Sequence, residues 1–423
     1  MKKIRQKLNN LVQKPLVKNS LWELMAKVIN IICQAAYFTL IVRLLGTENY
    51  GSFVGIASLA GLIFPFASLG SADVLIQQAS RQKRLFASYW GNTLLIVLIA
   101  SLLLTIITYS LSLLFFPSQI DWRAILAILL ADLTGLSVFV ASAKAFVSRN
   151  LLKNSSILQI IGTVAKLLAA IILLAIPQPS LYQWSYLYFL SAIFTATVGI
   201  IWVNKTIAKP KLSFARIPST ISQGIYFSIG ESAYNINSNI DKTMLTSMAT
   251  LEATGIYGAA YRLVEVIAIP INAVLSASYP KFFELGATGI AGCLSLVKRL
   301  LPFALIYGVF ALVGFLFLAP GITYILGEEY QNAIAAVRWL APIPIIGSLQ
   351  LILADTLTGA GFQKLRSTIQ IVTAMTNALL NIWLIRLYSW RGAAWATLAS
   401  DSLRVVVLAI AVIYLYRRQL KKC

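Results

Sequence analysis

Histidine is absent from this chain of 423 residues, and charged residues make up only 12% of it. Without histidine, a histidine-ligated metal centre and a histidine proton relay are both excluded. The three cysteines are Cys33 in an apolar helix, Cys293 in a predicted loop and Cys423 at the end of the chain. Their spacing matches neither a disulfide framework nor a metal site. We therefore predict a protein without a metal, a cofactor or a catalytic group.

Acidic residues are also scarce, since 14 Asp and Glu compare with 35 Lys and Arg, for a net charge of +21. Such a charge would suit an acidic partner such as nucleic acid. In a membrane protein the same surplus comes from Lys and Arg in cytoplasmic loops, and the loop count below favours this second interpretation. We predict no nucleic-acid partner.

Apolar residues, by contrast, make up 59% of the chain, which is more than a soluble domain can cover with polar surface. Apolar runs of about 20 residues, enough to cross the hydrocarbon core, recur along its whole length. The basic start of the chain resembles a signal peptide, but the apolar segment after it is too long and lacks a cleavage site, so we expect a retained first helix. The predicted helices span 22–43, 52–78, 90–115, 122–148, 155–176, 184–204, 221–248, 254–280, 300–319, 330–358, 367–387 and 391–416.

Basic residues alternate between the two sides of this predicted array. The termini and the even-numbered loops hold 25 of them, whereas the odd-numbered loops hold Arg43, Arg123, Arg386 and Arg391. By the positive-inside rule the first side is cytoplasmic, and both termini are expected there. The longest connections, at about 204–220 and 281–299, are both predicted on that side.

The two halves of the chain resemble each other. Glu48-Asn49-Tyr50-Gly51 is followed about 207 residues later by Gly255-Ile256-Tyr257-Gly258, and Ser156–Ile160 is followed by Ser367–Ile371 at an offset of 211. Both offsets are close to half the chain, so the repeat is six helices plus six. Because six is even, both halves would enter the membrane from the same side, as a parallel repeat. The predicted lobes are residues 1–210 and 211–423.

Apart from the Lys and Arg counted above with the loops, fourteen charged residues fall inside the predicted helices. At a helix centre each costs about 2.5–3.5 kcal/mol, so each needs a partner or a wet cavity. They are Glu23, Lys27, Asp73, Asp132, Lys166, Glu231, Asp241, Lys242, Arg262, Glu265, Arg338, Asp355, Asp401 and Arg404.

Polar residues line one face of the leading helix in each half, at the same spacings of four, three and four. Such spacing places each set on a single helical face. We therefore expect two polar stripes that face each other across a water-filled interior. The stripes are Glu23, Lys27, Asn30 and Gln34 on the first helix, and Glu231, Asn235, Ser238 and Lys242 on the seventh.

A purely structural role is the alternative for these charges, through pairs three or four residues apart on one helix. We favour pairing for Asp401 with Arg404. For Lys27, Lys242 and Arg262, pairing and ligand contact remain equally open. Neither Lys166 nor Arg338 has an acid on its own helical face, which leaves each available to an anionic ligand or to a partner on another helix.

Three stretches of the sequence resemble a known family. They are Ile41–Gly51 (IVRLLGTENYG), similar to the run R-x-LG-x-x-x-YG; Asn239–Lys242 (NIDK); and Gly255–Leu263 (GIYGAAYRL), similar to G-x-Y-x-A-A-x-R. Pro280, expected to close the eighth helix, also fits. With twelve helices in two sixes, these stretches resemble the polysaccharide-export branch of the multidrug/oligosaccharidyl-lipid/polysaccharide (MOP) transporter superfamily, which includes the Wzx-type flippases.

The resemblance implies an all-α polytopic membrane protein with a V-shaped fold of two six-helix lobes around a central cavity. It implies a flippase in the bacterial cytoplasmic membrane, which passes an oligosaccharide on a polyprenyl diphosphate across the bilayer for O-antigen, capsule or exopolysaccharide synthesis. Membrane lipids are expected partners, and a polysaccharide polymerase and glycosyltransferases are candidate partners.

The resemblance also implies roles for the stripe residues. Lys27, Lys242 and Arg262 would contact the diphosphate, because cationic side chains bind phosphate as point charges or forks. The sugar would be contacted by Asn30, Gln34 and Asn235. Charge tuning or coupling to an ion would fall to Glu23, Glu231 and Asp241.

Two other functions remain open at this point. A cation-coupled exporter of drugs or metabolites from the same superfamily would need more acids than bases in a lobe cavity. A membrane enzyme, such as a polyprenyl-sugar glycosyltransferase or an O-antigen polymerase, needs a sizeable external loop with catalytic acids or arginines. The predicted external loops are short, so we expect no enzyme.

Overall fold

The computed structural model describes the backbone of residues 15–420, and the side chains of residues 28–232 and 235–420. All regular structure in this part is helical, as expected where backbone hydrogen bonds must be satisfied within each spanning segment. The helices are α1 (Pro15–Ala67), α2 (Ser71–Arg81), α3 (Phe86–Phe115), α4 (Trp122–Leu129), α5 (Leu136–Ser148), α6 (Leu152–Leu174), α7 (Leu181–Thr206), α8 (Ile217–Met248), α9 (Leu251–Gly286), α10 (Ile290–Leu318), α11 (Ile322–Leu326), α12 (Gln331–Leu340), α13 (Ile343–Gly359), α14 (Gln363–Tyr388) and α15 (Trp390–Leu420). A π-helix, Leu130–Gly135, joins α4 to α5.

Ten segments within the described residues are long and apolar enough to cross a membrane. One of them, Val28–Arg81, is 54 residues long and contains most of the predicted first helix and all of the second. The predicted seventh helix, α8, is not among the ten, and its sequence is rich in Ser and Asn. Dividing the long segment in two and adding α8 gives twelve helices in the described part. The predicted all-α polytopic fold is confirmed.

Gly46 breaks α1 where the predicted first helix ends. Its φ of 67° and ψ of −178° belong to a region that essentially only glycine adopts. Two residues of the 3₁₀ turn before α12 hold this break. The Thr47 backbone N–H donates to Glu329 Oε2 at 3.3 Å, and the Tyr330 hydroxyl donates to the Gly46 carbonyl at 3.0 Å. Side chains thus satisfy backbone groups that lose their helical partners at the break.

The connection predicted at 281–299 is wrong. α9 continues through Pro280, which was expected to close it, to Gly286, and α10 begins at Ile290. Cys293, predicted in a loop, is therefore buried in α10, where its thiol donates to the Phe282 carbonyl at 3.4 Å. A proline inside a helix removes one hydrogen bond and clashes with the preceding turn, at a cost of about 3 kcal/mol. Burial of Phe282 in an apolar cluster with Cys293 favours the continuous helix. The basic residues predicted in this loop, Lys281, Lys298 and Arg299, lie on helices instead.

The chain forms two compact units. The first unit holds the residues up to Leu45 together with Ile56–Asn235, and the second holds Gly46–Gly55 together with the residues from Ile236 onward. A short piece of α1 therefore belongs to the second unit, and the first part of α8 belongs to the first. Two six-helix lobes divided at residue 210 stay a prediction.

Glycine lets Gly46–Gly55 approach α9 closely within the second unit. A Cβ atom on Gly51 would overlap the Leu251 carbonyl oxygen, and one on Gly255 would overlap the Thr47 carbonyl oxygen. Gly51 and Gly255 belong to the two similar motifs found in the sequence. Because lipid is as apolar as the helices, close packing through small residues is a principal source of helix association in a membrane.

Each unit has its own apolar core. In the first unit, Trp90, Phe146 and Leu158 are fully buried among α2, α3, α5, α6 and α7. In the second unit, buried clusters surround Phe282 and Leu357. These cores hold the polar side chains of each unit at fixed positions.

Candidate functional site

The predicted site residues are distributed over both units. The side chains of Glu23 and Lys27 lie outside the described residues. A meeting of the two polar stripes at one cavity stays a prediction. The first unit holds Asn30, Gln34, Glu231 and Asn235, and the second holds Asp241, Lys242 and Arg262.

The described stripe residues of the first unit differ in their hydrogen bonding. Asn30 has a buried side-chain oxygen without a hydrogen-bond partner among the described residues, and Gln34 is half-buried. The Asn235 amide donates to the Glu231 carbonyl at 3.1 Å, while the Glu231 side chain is exposed. A buried acceptor such as the Asn30 oxygen is normally satisfied by a partner or by water.

Lys242 is a buried cation in the second unit. Only 8% of the residue is exposed. Its Nζ donates to the Ser238 carbonyl at 2.5 Å and lies 4.0 Å from the ring centroid of Tyr261 on α9. Both contacts stabilise the ammonium group, and neither the carbonyl nor the aromatic ring carries a negative charge.

Asp241, the neighbour of Lys242, bonds to other groups. Its carboxylate accepts hydrogen bonds from the Tyr257 hydroxyl and, at 2.8 Å, from the Lys242 backbone N–H. The Tyr257 hydroxyl also lies 3.2 Å from Thr397 Oγ1 on α15. The acid and the base at these adjacent positions therefore have separate partners.

Arg262 pairs with Glu265, as the structural alternative predicts, at 3.1 Å. Both side chains are more than 40% exposed, at 43% and 42%. An exposed pair of this kind contributes about 0–1 kcal/mol.

Arg404 joins three helices of the second unit, a role that the sequence did not reveal. Its guanidinium donates to Asn237 Oδ1 at 2.6 Å, to Asp401 Oδ1 at 3.0 Å and to Thr373 Oγ1 at 3.2 Å. The predicted pairing of Asp401 with Arg404 is confirmed. The helical spacing indicated that pair, but no local pattern indicated Asn237 or Thr373.

A second polar cluster, also missed, lies inside the first unit. Lys166 on α6 donates to the Tyr188 hydroxyl on α7 at 3.2 Å, and that hydroxyl donates to Asp132 Oδ1 at 2.6 Å. Lys166 thus finds its acid on another helix. Asp132 belongs to the π-helix, a distortion that often occurs at functional sites. Intramembrane charge was the sequence signal for Asp132 and Lys166, but nothing indicated Tyr188 as the link.

The other predicted intramembrane charges have structural partners or are exposed. Asp73 accepts two hydrogen bonds from Lys144, at 2.7 and 2.8 Å, and Asp355 pairs with Arg366 at 3.2 Å. Arg338 is exposed on α12. Among the described residues, no group of three Cys, Asp or Glu side chains is arranged to hold a metal ion.

Comparison with known proteins identifies the family of this chain. Residues 16–286 match the family described as "Polysaccharide biosynthesis protein". A protein of Escherichia coli (strain K12) named "Putative O-antigen transporter" is 24% identical over 219 residues. That alignment covers 51% of this chain and 52% of the relative, so the chain spans about half the length of the curated relative that it matches.

Solved structures share the fold. An inward-facing multidrug resistance MATE family transporter of the MOP superfamily superposes with a TM-score of 0.73 at 13% identity, covering 92% of this chain and 96% of the other. The lipid II flippase MurJ, in an inward closed conformation, gives a TM-score of 0.73 at 12% identity, with coverages of 94% and 87%. At 12–13% identity these matches show the fold alone, and it is the fold that the resemblance implied.

Proposed function

Because this chain belongs to the polysaccharide biosynthesis protein family, we propose that it is a flippase for an oligosaccharide carried on a polyprenyl diphosphate. It would pass this lipid-linked oligosaccharide across the bacterial cytoplasmic membrane for O-antigen, capsule or exopolysaccharide synthesis. Both termini would lie in the cytoplasm, because the 25 basic residues of the termini and even-numbered loops are predicted on that side. A polymerase and glycosyltransferases would act on the same lipid-linked sugars.

The observation that carries the proposal is the pair of cations on α8 and α9. Lys242 is held over the Tyr261 ring, and the next residue, Arg262, is partly exposed in a weak ion pair. A diphosphate is a compact group of negative charge that an ammonium binds as a point charge and a guanidinium binds as a fork. Lys27 would join them from the first helix.

The amide residues would contact the sugar. Asn30, Gln34 and Asn235 offer both donors and acceptors, which suits the hydroxyl groups of an oligosaccharide. Glu23, Glu231 and Asp241 would tune the charge of their neighbours or couple transport to an ion. Among these, Asp241 already accepts a hydrogen bond from the buried Tyr257.

A cation-coupled exporter of small molecules is the second candidate. The likeness to MATE transporters supports it, as do the buried acids Asp132 and Asp241, each of which is bonded to a tyrosine. Charge favours the flippase, because Lys166 and Lys242 stand beside those same acids. A membrane enzyme has no such support, since the names of the relatives describe transporters and a flippase.

Deletion of the gene in its host tests the proposal. We expect a complete lipid-linked oligosaccharide to accumulate on the cytoplasmic face, measured by extraction and mass spectrometry together with enzymatic access from that face. An unchanged lipid pool in a strain that loses resistance to toxic cations would favour the exporter instead.

Complementation with variants then tests the site. Lys242→Met and Arg262→Gln should each lower surface polysaccharide about tenfold, since a hydrogen bond to a charged group contributes about 1.5–3 kcal/mol. Arg338→Gln removes an exposed positive charge outside the proposed site and should complement fully. Full complementation by the Lys242 and Arg262 variants, at equal protein levels, would exclude these residues from the site.

A further inference from the structure

The segment between α7 and α8 is fixed to the first unit by three hydrogen bonds. We call residues 207–216 the strap. The Lys211 backbone N–H donates to the Ala87 carbonyl at 2.9 Å. The fully buried Asn92 side chain bonds to both backbone groups of Ser213, donating to its carbonyl at 3.0 Å and accepting from its N–H at 2.9 Å. An amide that pairs with a peptide unit in this way fixes the strap as a neighbouring β-strand would.

Close backbone contact adds to this attachment. A Cβ atom on Gly91 would overlap the Lys211 carbonyl oxygen, so the strap lies directly on the beginning of α3. The Trp90 indole donates to Asn204 Oδ1 at 2.8 Å and fixes the end of α7 nearby. The strap therefore has a defined conformation and is more than a flexible link between two helices.

This conformation holds two large apolar side chains away from the protein. Leu212 is 55% exposed and Phe214 is 69% exposed, on either side of the anchored Ser213. Neighbouring exposed apolar groups outside a membrane span indicate an interaction surface. The strap follows directly on α7, which is long and apolar enough to cross a membrane, and this order would place the two groups at the edge of the bilayer.

Positive charge surrounds the two apolar residues. From Leu133 to Gly230 the chain contains no acidic residue. The strap and the end of α7 carry Lys205, Lys209 and Lys211, all exposed, together with Arg216. Three more exposed basic residues lie shortly before Ala87, whose carbonyl anchors the strap. They are Arg81, Lys83 and Arg84. Apolar groups flanked by Lys and Arg are the pattern that binds an anionic lipid surface.

We propose that the strap is a docking surface for anionic phospholipids of the bilayer. Leu212 and Phe214 insert at the boundary between headgroups and acyl chains, and Lys209, Lys211 and Arg216 bind lipid phosphates. Asn92 acts as a positioning residue, because it holds Ser213 and thereby directs the two apolar side chains outward. This role does not depend on the cargo that the protein transports.

Lipid retention by the purified full-length chain tests the proposal. Native mass spectrometry with phosphatidylglycerol and phosphatidylethanolamine should show preferred binding of the anionic lipid. The triple variant K209Q/K211Q/R216Q should weaken phosphatidylglycerol binding by about tenfold or more, since each Lys or Arg near a lipid surface contributes about fivefold. Binding of phosphatidylethanolamine should be unaffected.

The matched control is K281Q/K298Q/R299Q, which removes the same charge from exposed positions of α9 and α10. It should leave phosphatidylglycerol binding unchanged. Equal losses in the two triple variants would mean that net charge alone attracts the lipid, which would overturn the proposal.

The depth of the strap is a second and independent measurement. A spin label at Phe214→Cys, in a background without other cysteines, should be relaxed by oxygen in the lipid phase of phosphatidylglycerol vesicles. Asn92→Ala should increase its mobility and reduce this lipid contact. A label relaxed only by a water-soluble reagent, or by neither reagent because protein covers it, would contradict lipid docking.

Discussion

Each unit contains a buried acid, a tyrosine that donates to it and a lysine beside a tyrosine ring, but the connections differ. In the first unit a single tyrosine contacts both charged residues. Tyr188 donates a hydrogen bond to Asp132 and accepts one from Lys166. The Lys166 Nζ also lies 4.9 Å from the centroid of the Tyr188 ring. In the second unit two different tyrosines make these contacts: Tyr257 donates to Asp241, and Lys242 lies over the ring of Tyr261.

The difference separates a lysine that shares a tyrosine hydroxyl with an acid from a lysine that does not. In the first unit Lys166 donates to the Tyr188 hydroxyl, and the same hydroxyl donates to Asp132. In the second unit Lys242 is stabilised by a carbonyl and an aromatic face, neither of which carries a negative charge. We infer that the second unit is the one prepared to bind an anion, in agreement with the proposed role of Lys242.

Removing the buried acid of each unit should give the largest difference in stability between the two units. Asp132→Ala removes the buried carboxylate that accepts from Tyr188 beside the half-buried Lys166, and should lower the free energy of unfolding by about 3–5 kcal/mol, as breaking a buried ion pair does. Asp241→Ala should cost less, about 1–3 kcal/mol, because Lys242 does not depend on Asp241. Chemical unfolding of each purified variant in detergent measures both losses.

The double variant D132A/K166M is the control for the first unit. It removes both charges and should recover more than half of the lost stability. An Asp241→Ala loss as large as that of Asp132→Ala would show that the two units balance charge in the same way.

Removing the tyrosine hydroxyl of each unit should give a smaller difference in stability between the units. Tyr188→Phe removes the link between base and acid and should cost about 2–3 kcal/mol, near the upper limit for one buried hydrogen-bonding group. Tyr257→Phe should cost about 1 kcal/mol, because Asp241 keeps the bond from the Lys242 backbone. Thermal unfolding of both variants in the same detergent shows which one loses more stability. A larger loss for Tyr257→Phe than for Tyr188→Phe would contradict the prediction.

The smallest effect is expected at the exposed pair of Arg262 and Glu265. A double-mutant cycle with Arg262→Gln and Glu265→Gln should give a coupling energy below about 1 kcal/mol that falls further at high salt. Unfolding measured at low and high salt provides the test. A coupling above about 2 kcal/mol, insensitive to salt, would mean that Glu265 holds Arg262 too tightly for a ligand to compete.

The helices were predictable because hydrocarbon thickness dictates the length of an apolar run, and each predicted span corresponds to described helices. The predicted loop at 281–299 failed for a local reason: Pro280 and three basic residues suggested a break, whereas the packing of Phe282 with Cys293 keeps both helices intact. Charge on a helical face predicted pairs close in sequence, such as Asp401 with Arg404. It could not predict Asp132, Lys166 and Tyr188, since only the packing of three separate helices brings them together.

The break at Gly46 has a consequence for how this chain can evolve. A Cβ atom there would lie 2.6 Å from Glu329 Oε2, and the backbone conformation itself excludes other residues. Shortening Glu329 would remove the overlap but not the strain, and would also take away the acceptor of the Thr47 N–H. No single exchange, and no pair confined to these two positions, leads away from glycine. The break therefore stays at this glycine, and a change in the length of the first span has to be accommodated before Gly46.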